Sequence, residues 1–257
     1  MAKPVPTPKI VLLLSARTGA EAPFRERFAV LAAKAGPSER WSLQLDASDR
    51  VHVPHMDIMQ DVPPHDAVVE FIGVGLDAAE PVATRIVDEL RPLLDASRSN
   101  AAVIDEYAIT QGDGPVFCVL TLRRYPTMDR ATFMEAWFGR HAQLGAKVEG
   151  VRYRQNHAEL ASSAALAARL GLTGKELDGM ALSYFVDPAE AVQILGSPAV
   201  AVGAVEDERR FIDHPRSQFS LYRTIGYRGP DVHGRTRGVP VSTSRRPASD
   251  EEDRAVC

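Results

Sequence analysis

The sequence predicts an α+β fold in which two similar units, each running strand, helix, strand, strand, helix, strand, pack sheet against sheet within one chain. Three observations carry that expectation. The order of elements repeats after the short boundary QGDG at 111–114. DAVVEFIGVGLDAAEPVA in the first half aligns with DGMALSYFVDPAEAVQIL in the second: an acidic residue, an apolar strand, an acidic helix start. The strands also keep apolar residues on both faces, Val116, Cys118, Leu120 and Leu122 against Phe117 and Val119, so each sheet needs a second covering surface.

In chain order, KIVLLLSAR is a short run rich in branched residues and reads as a buried strand. PFRERFAVLAAKAG places Phe24, Phe28 and Leu31 on one helical face, with Gly36 as a stop signal. WSLQLDA is a second strand and VHVPHMDIMQDVPPH a proline-broken connection. DAVVEFIGV, DAAEPVATRIVDELRPLLDA and AAVIDEYAIT then read strand, helix, strand. After QGDG come the strand VFCVLTLRRY, the helix DRATFMEAWFGRHAQLG and the strand GVRYRQNHAE. A helical insert at about 159–171, the strand DGMALSYFV, the helical AEAVQILG and VAVGAVEDERRFI, and the strand FSLYRTIGY complete the second half. Each half has the β-α-β-β-α-β pattern of a ferredoxin-like unit. The expected domains are 1–113 and 114–228, followed by a tail over 229–257 rich in Pro, Gly, Ser and charge.

Composition excludes several classes. The chain has 257 residues, of which 45% are hydrophobic and 25% charged, the balance of a soluble globular protein. With 30 basic against 34 acidic side chains, the net charge of -4 gives no case for nucleic acid or an anionic membrane. No apolar stretch approaches a membrane span or a signal peptide, and two cysteines do not make a disulfide framework. A soluble, cytoplasmic protein is the expectation. There is no glycine-rich phosphate loop, nucleophile elbow or paired-cysteine zinc site.

Ionisable rings mark the candidate site. Phe133, Trp137 and His141 recur every fourth residue, so an inward apolar stripe ends in a histidine near a helix C-terminus. Strand alternation in GVRYRQNHAE puts Val151, Tyr153, Gln155 and His157 on one face. Together these suit acid/base chemistry, and they equally suit interior polar groups bonded to backbone. VHVPHMD offers His52, His55 and Asp57, but Pro54 between the histidines argues for a loop and against a metal site. His214, ahead of Pro215, reads as a turn residue, with Asp213 and Ser217 as capping groups.

FMEAWFGRHAQLG, GVRYRQNHAE, DGMALSYFVD and EDERRFIDHPRS together resemble the ordered motifs of the EthD family over roughly residues 115–227. The first half keeps the architecture without the motif, having Leu31 where the histidine belongs. What the resemblance implies is an intramolecular version of the dimeric α+β barrel. That fold also serves antibiotic-biosynthesis monooxygenases, polyketide cyclases, muconolactone isomerases and haem-handling enzymes. EthD members include dehydratases or cyclases of polyketide-type aromatics and accessory proteins of degradative operons. The expected activity is therefore that of a cofactor-independent lyase or cyclase on a small apolar carbonyl or aromatic metabolite. His141, Tyr153 and His157 are the expected catalytic residues, and Phe133, Trp137, Gln155, Tyr184 and Phe211 the substrate-binding ones. No metal or other cofactor is expected, although haem on His141 or His157 is conceivable for this fold. The alternatives are a non-catalytic metabolite-binding protein and a cofactor-free monooxygenase. Outer surfaces remain available for a homodimer.

Overall fold

The structure, a computed structural model, describes residues 5–46, 49 and 51–227; the tail expected over 229–257 lies outside them. Eight strands are present: β1 (Thr7–Leu14), β2 (Glu39–Gln44), β3 (Ala67–Ile72), β4 (Asn100–Ala108), β5 (Val116–Leu122), β6 (Arg152–Ala158), β7 (Gly179–Phe185) and β8 (Gln218–Tyr227). The helices are α1 (Glu21–Ala32), α2 (His55–Ile58), α3 (Leu76–Leu90), α4, α5 (Leu160–Leu170), α6 (Pro188–Leu195) and α7. α4 is α-helical over Arg130–Met134, π-helical over Glu135–His141 and α-helical again over Ala142–Gly145. α7 is π-helical over Ala199–Ala204 and α-helical over Val205–Glu208. The helix expected to reach residue 96 stops at Leu90, because Pro92 has no N–H for the next helical bond. Within the proline-broken connection, Pro54 precedes a single helical turn, α2.

All strand pairs are antiparallel, and the strands close into a barrel in the order β1-β3-β2-β8-β5-β7-β6-β4. Within each half the order is fourth, first, third, second. Two facing layers were expected, and the structure differs in how they meet. β2 hydrogen-bonds to β8 and β4 to β6, so the wall is continuous and no strand is left with an open edge.

Alternation along each strand divides the core. On β5, Val116, Cys118, Leu120 and Leu122 pack outward with Phe133 and Trp137 of α4 and Ala191 and Ile194 of α6. Phe117 and Val119 point into the barrel with Val11, Leu13, Ile104, Leu182 and Tyr222, drawn from both halves. The outer face of β1 (Ile10, Leu12, Leu14) packs with Phe24 and Phe28 of α1 and Ile86 and Leu90 of α3. The second face of each sheet is thus covered, and the covering surface is the other half of the barrel. At the junction between halves, Gly114 leaves room for no side chain: a Cβ there would stand 2.0 Å from the Phe185 carbonyl oxygen.

Both barrel ends are polar. At one, Lys9 is fully buried, pairs with Glu70, and donates to Glu106 at 2.7 Å and Asn156 at 2.9 Å. Burial pushes the Lys9 amine down, but Glu106 and Glu70 outweigh it and hold the group above its ordinary range. At the other end, the Ser15 hydroxyl lies 3.0 Å from His65 Nδ1, and the Tyr222 hydroxyl donates to the His65 carbonyl at 2.9 Å. Burial, with Arg123 and Arg98 nearby, lowers the His65 ring from 6.5 to about 3.

That depression sets a pH dependence. Between the two values the unfolded chain binds a proton that the folded one refuses, so stability falls as pH drops below about 6.5 and is fully retained above it. From pH 7 to pH 5 the loss is about 2 kcal/mol, at 1.36 kcal/mol per unit of pH below the unfolded value. His65→Leu is expected to remove this component. Urea unfolding of both proteins at the two pH values checks it, and equal pH dependence of the two would contradict the assignment.

Candidate functional site

Asp129 starts α4, its carboxylate accepting from the Thr132 backbone N–H at 2.8 Å. The apolar stripe then turns Phe133, Trp137 and His141 inward, and all three are buried. The π-helical segment ends at His141, so the irregular turn sits where the ring must be aimed. His141 Nδ1 lies 3.1 Å from Asp207 Oδ2, and its Nε2 lies 3.7 Å from Glu208 Oε1. Asp207 and Glu208 end α7, which carries the second π-helical segment.

Two further histidines reach the same carboxylate. His55 Nε2 of α2 is 3.5 Å from Glu208 Oε1, and His214 Nε2, in the 3₁₀ turn His214–Arg216, is 3.3 Å from Oε2. All five side chains are buried. Burial pushes the Glu208 carboxyl up, but His55, His214 and His141 outweigh it and hold it well below the usual carboxylate range. Glu208 is therefore an ionised carboxylate inside a cage of three imidazoles, and Asp207 holds one of them from behind.

His55 had been expected as a loop residue and His214 as a turn residue. His214 does sit in a turn, whereas His55 opens the helical turn α2, and both rings are buried and point at Glu208. His52, grouped with His55 in sequence, instead meets Asp57 at 3.1 Å on the surface. Among the described residues no group of three or more His, Cys, Asp and Glu side chains is arranged to hold a metal ion.

The other expected rings form a neighbouring set. The Tyr153 hydroxyl accepts from Trp137 Nε1 at 3.3 Å and from Gln155 Nε2 at 3.0 Å. Gln155 also donates to the Trp137 carbonyl at 3.0 Å, and its Oε1 lies 3.1 Å from His157 Nε2. His157 packs among Tyr107, Trp137 and Phe138. Burial pushes the Tyr153 phenol up, its bonds to Gln155 and Trp137 pull it back, and the Glu208 charge adds to the rise. The two sets adjoin, but His141 is aimed at the carboxylates of α7 and away from Tyr153 and His157. Phe211 packs against the stripe, 5.5 Å from the His141 ring and 5.9 Å from Phe133.

Tyr184 is elsewhere. It pairs across from Phe117 on β5 and stacks on it at 5.3 Å, inside the barrel and on the opposite face of the sheet from Tyr153. Its place one step along β7 from the helix-facing Phe185 fixes that side.

A cavity of about 320 Å³ opens where β2 ends at Gln44 and β8 runs on without it. Gln44, Met56, Met59, Gln60, Phe219 and Ser220 line it. The Phe219 ring stacks on His55 at 5.3 Å, joining the cavity wall to the histidine cage. His55 Nδ1 is buried and has no hydrogen-bond partner. Haem does not fit the space between the second sheet and its helices. Phe133, Trp137, Tyr153 and Phe211 fill that layer, and both His141 nitrogens face carboxylates.

Residues 125–215 match the EthD domain. His141, Asp207, Glu208 and His214 lie within the matched stretch, and His55 reaches it from outside. A comparison with curated proteins found no match. Among solved structures, the chain is similar to an anthrone oxidase-like protein, with a TM-score of 0.52 and 10% identity, covering 85% of this chain and 91% of that one. It is also similar to a mutant chlorite dismutase from Candidatus Nitrospira defluvii in complex with cyanide (TM-score 0.47, 10% identity, 85% and 90% covered). A heme-binding protein from Thermus thermophilus gives a TM-score of 0.44 and 11% identity over 85% and 91% of the two chains. At 10% identity the likeness to the anthrone oxidase-like protein is one of fold alone. No single helix among the described residues is long and apolar enough to cross a membrane.

Proposed function

We propose that the chain is an acid/base enzyme of the lyase or cyclase type, acting on a small, mostly apolar carbonyl or aromatic compound held in the cavity beside α2. The observation that carries this reading is His55. Its Nε2 faces the caged Glu208 carboxylate, its buried Nδ1 is unpartnered, and its ring stacks behind Phe219 of the cavity wall, so it can take up a proton that leaves the cavity past Phe219 and stabilise the charge it gains. Met56, Met59 and Phe219 supply an apolar wall, and the Gln44 and Gln60 amides can donate to a carbonyl whose α-carbon loses the proton. His141, backed by Asp207, is the proton-transfer partner across Glu208. Tyr153, Gln155 and His157 keep Trp137 and the α4 backbone in place. The two halves, 1–113 and 114–228, act as tandem units, the first supplying His55 to the second.

A second reading has its own support. The cavity lining contains glutamines and a serine but no ionisable side chain among the described residues, which suits a protein that carries a metabolite without changing it. Proton exchange separates the two. Incubated in D₂O with acetophenone as an enolisable probe, the protein is expected to speed deuterium uptake at the methyl carbon, and Met59→Trp, which fills the cavity, is expected to abolish it. Saturable binding with exchange at the background rate would decide for the carrier.

A further inference from the structure

The polar end of the barrel holding Lys9 has more hydrogen-bond donors than the chain supplies acceptors. Arg40 on β2 and Arg154 on β6 project inward from strands four places apart around the eight-stranded wall, on opposite sides of the barrel. Each guanidinium uses one nitrogen on the segment that covers this end. Arg40 Nη2 donates to Asp113 at 2.7 Å, and Arg154 Nη2 donates to the Gly112 carbonyl at 2.6 Å. Their remaining nitrogens, Nε and Nη1 of both, are buried without a hydrogen bond, as is Asn156 Nδ2; against these five nitrogens stand the two unbonded oxygens of Glu70, one of them ion-paired with Lys9. Neighbouring carboxylates attract them from too far to bond: Arg40 Nε stands 3.7 Å from Glu70 and Arg154 Nε 3.8 Å from Glu106. Both guanidiniums lie over the Tyr184 ring, at 4.9 and 4.4 Å from its centre, which fixes their planes.

Buried donors in this number are seldom left unsatisfied, so an acceptor other than protein belongs among them. Charge says which kind. The fully buried set has three cations, Lys9, Arg40 and Arg154, against two anions, Glu70 and Glu106, leaving one positive charge. Asp113, whose side chain is 15% exposed, offsets that charge only at the mouth. A dianion would overshoot the excess, and a neutral group would leave it unpaired. Just inside lie Val11, Ile104, Phe117 and Leu182, packed against one another in the barrel core, so the acid's body has to be small and to lie toward the mouth at Asp113.

We propose that this end of the barrel is a binding site for the carboxylate of a compact organic acid, held between Arg40 and Arg154 over Tyr184, with Asp113 as the chain's own stand-in at the mouth. The site is separate from the histidine cage, on the other face of the sheet, and does not depend on the reading of that cage.

Benzoate is a suitable probe, with benzamide as its neutral counterpart, followed by calorimetric titration of the full chain. Benzoate is expected to bind saturably and benzamide at least tenfold more weakly. Asp113→Asn removes the competing carboxylate and is expected to tighten benzoate several-fold, whereas Arg154→Met is expected to abolish binding. If Arg154→Met does not fold, the partly exposed Asp113→Asn decides. Absence of saturable binding would mean that water alone meets these donors and would overturn the proposal. Affinity unchanged by Asp113→Asn would place benzoate elsewhere and overturn it equally.

Discussion

Lys9→Met is expected to cost about 3–5 kcal/mol of folding stability, the loss typical when one partner of a buried ion pair is removed. Lys9 is the shared cation of Glu70 and Glu106, both of which stay fully buried when it is gone. Arg40 and Arg154 do not replace it, because their nearest nitrogens stand 3.7 and 3.8 Å from those carboxylates and are held in place over Tyr184. Surface pairs make a useful contrast: breaking Arg169–Glu80, at the surface and screened by solvent, is expected to leave the urea midpoint nearly unchanged. A domain's whole stability is about 5–15 kcal/mol, so Lys9→Met leaves a marginal fold. Urea denaturation gives the loss. Adding Glu106→Gln should recover part of it by removing one stranded charge, and a purely additive double variant would show that Lys9 and Glu106 do not act as a pair.

How much of this was legible in the sequence depends on whether a feature is periodic. The strand and helix order is periodic and was readable, as was the need for a second covering surface, because Val116 to Leu122 are apolar at every step but one. Closure of the wall through β2–β8 and β4–β6 was not, since register between distant strands leaves no local pattern. The polar barrel end did leave a signal that was passed over. Lys9, Glu70 and Glu106 each interrupt an otherwise apolar inward strand face, and charges repeated in that position mark a shared interior. His141 was legible from the stripe of Phe133 and Trp137. Its partners were not, because Asp207 and Glu208 sit in EDERR, which looks like a solvated helical face. His55 was hidden by Pro54 and by its distance in sequence, 153 residues before Glu208. Tyr184 and Tyr153 look alike on their strands, and only the pairing of β6, β7 and β5 puts them on opposite faces.

His141→Phe is expected to lower the rate of acetophenone proton exchange by about 10²–10⁴, the range general acid–base groups supply, while leaving the probe's affinity within a few-fold. The split between rate and binding matters, because His141 does not line the cavity and a merely structural role would disturb both together. Phenylalanine preserves the packing against Phe211 but leaves Asp207 and Glu208 facing an apolar ring, so a stability loss accompanies the change. Asp207→Asn is the gentler companion. It keeps the volume and a hydrogen bond to Nδ1 but removes the charge that orients the ring, so the rate is expected to fall. Glu208→Gln acts on all three histidines at once. With the central anion gone, the three rings lose their shared partner, and the exchange rate is expected to fall further than in Asp207→Asn. If His141→Phe or Glu208→Gln exchanges the probe at the wild-type rate, the cage holds the fold and carries no protons.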